Sequence, residues 1–226
     1  MTRRGLMAVA LTAALLGTTA VSDARPTTRA AQGDLLDRAV AGWAKVKTAR
    51  ATFEQTINNP LTGRTLTASG EYQQERPAKL AVHFADPAND RIVADGKFVW
   101  LYLPSTAPDQ VIKTPQSAAG TGTVDLTAQF LTAPRTKYNI EAVGAQTVSG
   151  RATHGFNLVP KNTSGAAFLK ATVWIDDDDA TIRQFEVTDQ SGVQRKVRLT
   201  SFKTNVPVDA KAFVFTPPAG VRVVAR

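Results

Sequence analysis

The run of four aspartates at residues 176–179 is the densest group of potential metal ligands in this 226-residue sequence. Proteins bind calcium through carboxylate and carbonyl oxygens, which an acidic run could supply. Four consecutive acids in an extended hairpin cannot all converge on one ion, however, and the ligand spacing of a calcium-binding loop is missing. We therefore interpret the run as a solvated turn.

Groups that could perform catalysis are few. His83 and His154 are the only histidines and there is no cysteine, so a zinc site of the usual kind is not expected. Ser191 and Gly192 lack the strand-to-helix context of a nucleophilic serine. Four further carboxylates show no spacing that indicates a general acid and base pair; they are Asp86, Asp90, Asp95 and Glu141. We predict no catalytic residue, no metal and no cofactor, and hence a protein that is not an enzyme.

The first 24 residues read as a secretory signal peptide. Arg3 and Arg4 precede an apolar stretch at 6–16, and small residues follow, so cleavage fits after Ala20 or after Ala24. The apolar stretch is shorter than the roughly 20 residues that span a bilayer. The arginine pair leaves both the general secretory route and the twin-arginine route open. We expect export to the periplasm and one domain over residues 25–226.

The net charge and the lack of cysteine limit which classes of partner and which stabilising bonds are expected. The formal net charge is +8, which favours anionic partners such as lipid headgroups or acidic protein surfaces. Nucleic acid is not expected, because the aromatic residues are not interleaved with the basic ones. Without cysteine the exported chain has neither disulfides nor a lipidated N-terminal cysteine, so we expect a soluble protein stabilised by packing.

Hydrophobic periodicity predicts a helix followed by strands. Residues 34–49 show helical spacing with Asp34 as a plausible cap. From residue 51 apolar residues recur at every second position, and Asp95-Gly96 is a tight-turn pair. Both faces of the strand after that turn are apolar, so both must be covered. Residues 104–123 are predicted as a loop, 124–132 as a short helix, and five further strands follow, the last with Val197 and Leu199 pointing inward. This pattern is typical of an antiparallel sheet that curls toward a barrel.

Several short segments together resemble one protein family. They are Phe53-Glu54-Gln55-Thr56, Gly70-Glu71-Tyr72, Arg76-Pro77, Asp95-Gly96-Lys97 with Trp100, Tyr102 and Pro104, and Phe213-Val214-Phe215-Thr216-Pro217-Pro218 with Gly220-Val221. In order and spacing the chain resembles the outer-membrane lipoprotein carrier family, LolA. The resemblance implies a mainly β fold with a few helices, an incomplete, half-open antiparallel barrel covered by an α-helical lid.

The resemblance also implies partners. A monomeric carrier of this family takes lipoproteins by their acyl chains from the inner-membrane ABC transporter LolCDE. It delivers them to the outer-membrane receptor LolB or an equivalent. The receptor begins with a lipidated cysteine, which this chain lacks, so the chain resembles the soluble carrier.

Candidate site residues follow from the resemblance and from the strand faces. In the family the arginine matching Arg76 latches the lid by bonding to its backbone carbonyls; the alternative is a solvated arginine at a strand end. The candidates for the acyl-chain cavity could equally be ordinary barrel core; they are Phe53, Leu80, Val82, Phe84, Trp100, Tyr102, Leu126, Phe130 and Leu131. Apolar residues after Arg76-Pro77 are reduced to Leu80 and Val82 beside His83, which predicts a less aromatic cavity.

Two alternative functions share this fold. A half-barrel of this kind could sense envelope stress, but such regulators normally add a second domain, for which about 200 residues leave no room. A carrier of free lipids is the other alternative, and the ligand that co-purifies would separate it from a lipoprotein carrier.

Overall fold

The structure is a computed structural model that describes residues 29–117, 125 and 127–225. The predicted signal peptide and the candidate Leu126 lie outside the described residues. Among the residues described, no helix is both long and apolar enough to cross a membrane.

One twelve-stranded sheet forms the body of the molecule, in the order β12-β6-β5-β4-β3-β2-β1-β11-β10-β9-β8-β7. Its neighbours pair antiparallel except β12, which pairs parallel with β6. The strands are β1 Thr48–Asn59, β2 Arg64–Glu75, β3 Lys79–Asp86, β4 Arg91–Asp95, β5 Phe98–Tyr102, β6 Gln110–Pro115, β7 Tyr138–Val148, β8 Arg151–Pro160, β9 Lys170–Asp176, β10 Ile182–Thr188, β11 Gln194–Thr204 and β12 Arg222–Ala225. Because β12 and β7 are both edges, the sheet is open, and the predicted mainly β, half-open fold is confirmed.

Side-chain alternation sends one face of this sheet into the core. In β1, Ala49, Ala51 and Phe53 are buried while the residues between them are exposed. The cross-strand register extends this face to Val197 on β11 and to Phe185 on β10, and both are buried as well. We call this inward side of the sheet the concave face.

Helix α1, Arg29–Ala44, lies on the concave face. Leu36, Ala39 and Trp43 belong to the same buried cluster as the strand residues of that face. Later in the described part of the chain are two four-residue helices, α2 Ala128–Leu131 and α3 Pro134–Lys137. We call α1 together with residues 127–131 the lid.

The predicted helix bounds are wrong at both ends. Asp34 lies inside α1, so it does not cap the helix. At the other end Thr48 and Ala49 belong to β1, where they pair with β2 and Ala49 also pairs with β11. Helical spacing continued past Ala44 in the sequence, but ladder hydrogen bonds on both sides of β1 outweigh the helical preference of these residues.

The predicted loop at 104–123 contains a strand. β6 pairs with β5 on one side and with β12 on the other. The prolines and glycines around this strand hid it in the sequence, and β12, one of its two partners, is distant along the chain. The predicted helix at 124–132 is shorter, at Ala128–Leu131, and residues 124 and 126 lie outside the described part.

The C-terminal segment covers the outer face of the sheet at β3 to β5. A 3₁₀ helix, Ala210–Phe213, contacts β3 and β4, and Phe213 is buried. Phe215 packs against Trp100 and Tyr102 of β5. Both faces of β5 are therefore covered, as its two apolar faces predict.

Candidate functional site

An apolar cavity of about 260 Å³ lies on the concave face, where the lid borders it at Thr127. Its polar contributors are Gln55, Thr127, Arg195 and the hydroxyl-bearing Tyr72. The other lining residues are Phe53, Leu80, Val82, Phe84, Ile92, Leu101, Phe185, Val197, Leu199 and Phe202. Such a surface has few groups that could orient a polar substrate, and it suits a hydrocarbon ligand.

Four of the predicted cavity residues line this space: Phe53, Leu80, Val82 and Phe84. The rings of Phe53 and Phe84 meet edge to face, with centroids 5.6 Å apart. Gly70 lies between them in the sheet register, paired with Phe53 on one side and Phe84 on the other. A methyl group at Gly70 would come within 2.3 Å of the backbone oxygen of His83, so glycine permits this close strand approach.

Phe130 and Leu131 lie in the core beside the cavity. Phe130 is fully buried, and its ring centroid lies 5.3 Å from that of Phe185, which lines the cavity. Phe168 contacts the same ring at 6.0 Å. Through their burial in the core, Phe130 and Leu131 hold α2 against the sheet. Whether they contact a ligand once the lid shifts stays a prediction.

Trp100 and Tyr102 lie on the opposite face of β5, which corrects their prediction as cavity residues. Leu101 lines the cavity, and its two neighbours point away from it toward Phe215, at 5.7 Å for Trp100 and 6.0 Å for Tyr102. The Trp100 indole N–H donates to the Asp95 carboxylate at 2.8 Å. Since both faces of β5 are apolar, alternation alone could not say which one is inward.

Sequence reasoning missed Leu101, Ile92, Phe185 and Phe202 as lining residues. Alternation did place Leu101 opposite Trp100, so only the choice of face was missing. Val197 and Leu199 were predicted to point inward, and both line the cavity.

Arg76 sits in the turn between β2 and β3 and reaches the end of α1. Its Nη1 donates to the backbone carbonyl oxygens of Trp43 at 2.7 Å and of Val46 at 3.1 Å. The guanidinium also lies over the Trp43 ring, 4.9 Å from its centroid. A flat, permanently charged fork suits such a cluster of carbonyls at a helix end.

Asp125, just before the 127–131 part of the lid, contacts the same guanidinium. Its Oδ2 lies 3.1 Å from Arg76 Nε, and its side chain is only 6% exposed. Its Oδ1 accepts from the backbone N–H groups of Thr127 at 3.2 Å and Ala128 at 2.8 Å. Burial, and then the charge of Asp125, raise the pKa of Tyr72 well above its usual value, so its hydroxyl remains a donor, to Gln74.

The acidic run at 176–179 forms the expected turn, with Asp178 and Asp179 exposed, but Asp176 departs from the expectation because it is buried. Asp176 is 1% exposed and pairs with Arg151 at 2.6 Å and Arg183 at 2.9 Å. Arg183 also pairs with Asp179, and His154 with Asp177. Within the described part of the chain, no three His, Cys, Asp or Glu side chains are grouped so that they could hold a metal ion.

The same turn holds α1 in place. The Arg38 guanidinium donates to the backbone oxygen of Asp178 at 2.8 Å and lies within 3.5 Å of that of Asp177. Asp37, on the neighbouring position of α1, pairs with Arg135 of α3 at 3.0 Å. These contacts are exposed to solvent, so each stabilises the lid only weakly.

Relatives that are similar along most of this chain are outer-membrane lipoprotein carrier proteins. A match to the family described as outer membrane lipoprotein carrier protein LolA covers residues 44–216. The outer-membrane lipoprotein carrier protein of Serratia proteamaculans (strain 568) is 31% identical over 179 residues, which is 79% of this chain and 81% of the relative. That of Cronobacter sakazakii (strain ATCC BAA-894) is 29% identical over 215 residues, 95% of this chain and 96% of the relative.

A solved structure shares the fold. The crystal structure of an uncharacterised conserved protein from Thermus thermophilus has a TM-score of 0.53 and 15% sequence identity, covering 87% of this chain and 99% of that one. At this identity the likeness concerns the fold alone. The match over residues 44–216, together with a relative more than 30% identical along most of its length, shows that the chain belongs to the outer membrane lipoprotein carrier protein LolA family.

Proposed function

We propose that this protein carries lipoproteins through the periplasm by binding their acyl chains in the cavity under the lid. The observation that carries the proposal is the cavity itself, an apolar space on the concave face that the lid borders at Thr127. The relatives named as outer-membrane lipoprotein carrier proteins support the same function.

The energetics of lipid transfer explain why such a cavity is useful. Each methylene group exposed to water costs about 0.8 kcal/mol, so a lipid anchor with several acyl chains does not cross an aqueous space unaided. A wide apolar surface offsets that cost, and it must be covered again when the cargo has left. Binding and release of this kind require no bond to be made or broken, in keeping with a protein that is not an enzyme.

The size of the cavity indicates that loading requires lid movement. A space of about 260 Å³ lies just below the roughly 300–1,000 Å³ of pockets for drug-sized ligands. An anchor with two or three long acyl chains is larger than such ligands. We infer that the structure represents a closed form, and that α1 and residues 127–131 shift outward when cargo enters.

Arg76 is the proposed latch of this closed form. Its contacts with the Trp43 and Val46 carbonyls stabilise the lid on the empty sheet and thereby favour release of cargo. Replacing Arg76 with Leu removes these contacts, so the open, loaded form gains population. We expect this variant to accept cargo normally but to transfer much less of it to an acceptor than the wild-type protein.

The proposed route follows from family membership. A signal peptide over residues 1–24 directs the chain to the periplasm, where residues 25–226 act as one domain and as a monomer. An inner-membrane ABC transporter of the LolCDE type supplies lipoproteins, and an outer-membrane receptor such as LolB accepts them.

A release assay tests the proposal. Inner-membrane vesicles loaded with labelled lipoprotein are incubated with the protein, and we expect the label to appear in the soluble fraction as a one-to-one complex. Leu101→Asp places a charge in the cavity and should abolish release, whereas Tyr102→Asp, one residue along on the outer face, serves as the matched control. If folded wild-type protein leaves all the label in the membrane, or if free lipid is carried and lipoprotein is not, the proposal is wrong.

A further inference from the structure

We propose that Asp125 is a positioning residue that couples the two lid segments through Arg76, so that α1 and α2 are released together. This inference rests on the proposed function for its meaning in transport. Its structural content can be tested on the empty protein.

One guanidinium contacts both lid segments with different nitrogen atoms. Nη1 donates to the carbonyls at the end of α1, and Nε faces the Asp125 carboxylate. Arg76 itself is anchored in the sheet turn, where its backbone N–H donates to the Lys47 oxygen at 2.8 Å. The sheet, α1 and the segment that starts α2 therefore meet at this single side chain.

Asp125 has a second role, which must be separated from the first. Its Oδ1 accepts from the N–H groups of Thr127 and Ala128 and so shapes the turn that leads into α2. The next residues reach the cavity, since Thr127 lines it and Phe130 packs on Phe185. A carboxylate with one oxygen on this turn and the other on Arg76 transmits the position of the guanidinium to the cavity wall.

Burial makes this ion pair more consequential than those on the surface of the lid. The side chains of Arg76 and Asp125 are 24% and 6% exposed, against 56% and 61% for Arg135 and Asp37. Water screens the exposed pair, whereas loss of one partner of the buried pair leaves a desolvated charge behind. Substitution of Asp125 should therefore destabilise the closed lid strongly, and substitution of Asp37 only weakly.

Asp125→Asn separates the two roles of this side chain. The amide oxygen of Asn can still accept from Thr127 and Ala128, but the charge that holds Arg76 is removed. A matched control is Asp90→Asn, because Asp90 is also buried and accepts from the backbone N–H and the hydroxyl of Ser105, away from the lid.

Hydrogen exchange on the empty, full-length mature protein is the first measurement. We expect Asp125→Asn and Arg76→Leu each to raise the exchange rate about tenfold at two places. One is the amide of Val46, which bonds to the last turn of α1, and the other is the pair of amides of Phe130 and Thr132, which close the turns of α2. Asp90→Asn should change neither group. Faster exchange at α2 alone in Asp125→Asn, or no change at α2 in Arg76→Leu, would overturn the coupling.

Transfer kinetics provide the second measurement. If Asp125 acts through Arg76, the double variant should transfer cargo no more slowly than Arg76→Leu alone, although Asp125→Asn by itself slows transfer. Additive losses would contradict the inference. If the wild-type protein does not take up lipoprotein, the proposed function is wrong, but the hydrogen-exchange result still tests the coupling. The two claims can therefore fail separately.

Discussion

At the scale of single residues, the cavity depends on one glycine between two phenylalanines. Gly70 pairs with Phe53 and Phe84 at a register shift in β2, and the strands approach too closely there for a side chain. The absence of a Cβ lets the two aromatic rings meet across the cavity wall. This close approach explains why glycine occupies position 70 on the apolar face of β2.

Gly70→Ala tests that explanation. The added methyl group meets backbone atoms of β3, which cannot rotate away, so we expect unfolding to become easier by about 2 kcal/mol. Gly42→Ala in α1 is the control, since nothing lies within 4 Å of its added Cβ. That change should stabilise the protein by up to about 1 kcal/mol. Urea unfolding of both variants gives the comparison, and equal effects would refute the steric argument.

Sequence reasoning identified which residues share a strand face but not always which face is inward. Phe53, Leu80, Val82 and Phe84 line the cavity, and their inward face could be chosen because polar residues occupy much of the other face of their strands. Trp100 and Leu101 could not be separated, since both faces of β5 are apolar. The deciding contact is Phe215, more than a hundred residues further along the chain. The pairing of Arg76 with Asp125 is hidden for the same reason.

At the scale of elements, the turn between β9 and β10 is stabilised by buried charge. Burial raises the pKa of the Asp176 carboxyl, but hydrogen bonds from Arg151, the Asp178 N–H and Arg183 outweigh it and hold that pKa well below its usual value of 3.8. This turn also holds α1 through Arg38. Its integrity therefore affects both the sheet and the lid.

The direction of this pKa shift predicts how stability depends on pH. A carboxyl whose pKa is lower in the folded state contributes its full stabilisation above about pH 4, and loses it as the pH falls toward the folded pKa. We expect Asp176→Asn to lower the free energy of unfolding by about 3 kcal/mol at pH 7. The difference from wild type should stay constant between pH 5 and 8 and shrink below pH 4. A difference that grows on acidification would contradict this account.

Element boundaries were predictable where local signals agree with the final pairing. β8 is one of the five strands predicted after the short helix, and its start has a local signal, because Ser149 and Gly150 take the positive φ of a tight turn. The end of α1 and the whole of β6 were missed. In both cases a distant strand supplies part of the pairing, β11 for the start of β1 and β12 for β6, and no local pattern reports it.

At the scale of the whole molecule, one open sheet is covered on its two sides by different parts of the chain. The C-terminal segment packs on the outer face, with Phe213 buried. The lid packs its apolar residues on the concave face and adds polar contacts at Arg76, Arg38 and Asp37. We propose that the lid is the side that moves, because the cavity lies beside it.

Site-specific photocrosslinking tests most directly whether acyl chains enter the cavity under the lid. Benzoylphenylalanine is placed at Phe84, which lines the cavity, or at Trp100, which lies on the outer face of the same sheet. The protein is then loaded with a lipoprotein whose acyl chains are radiolabelled, and illuminated. We predict that labelled lipid crosslinks at position 84 and not at position 100. Equal crosslinking at the two positions, or crosslinking at position 100 alone, would contradict the account.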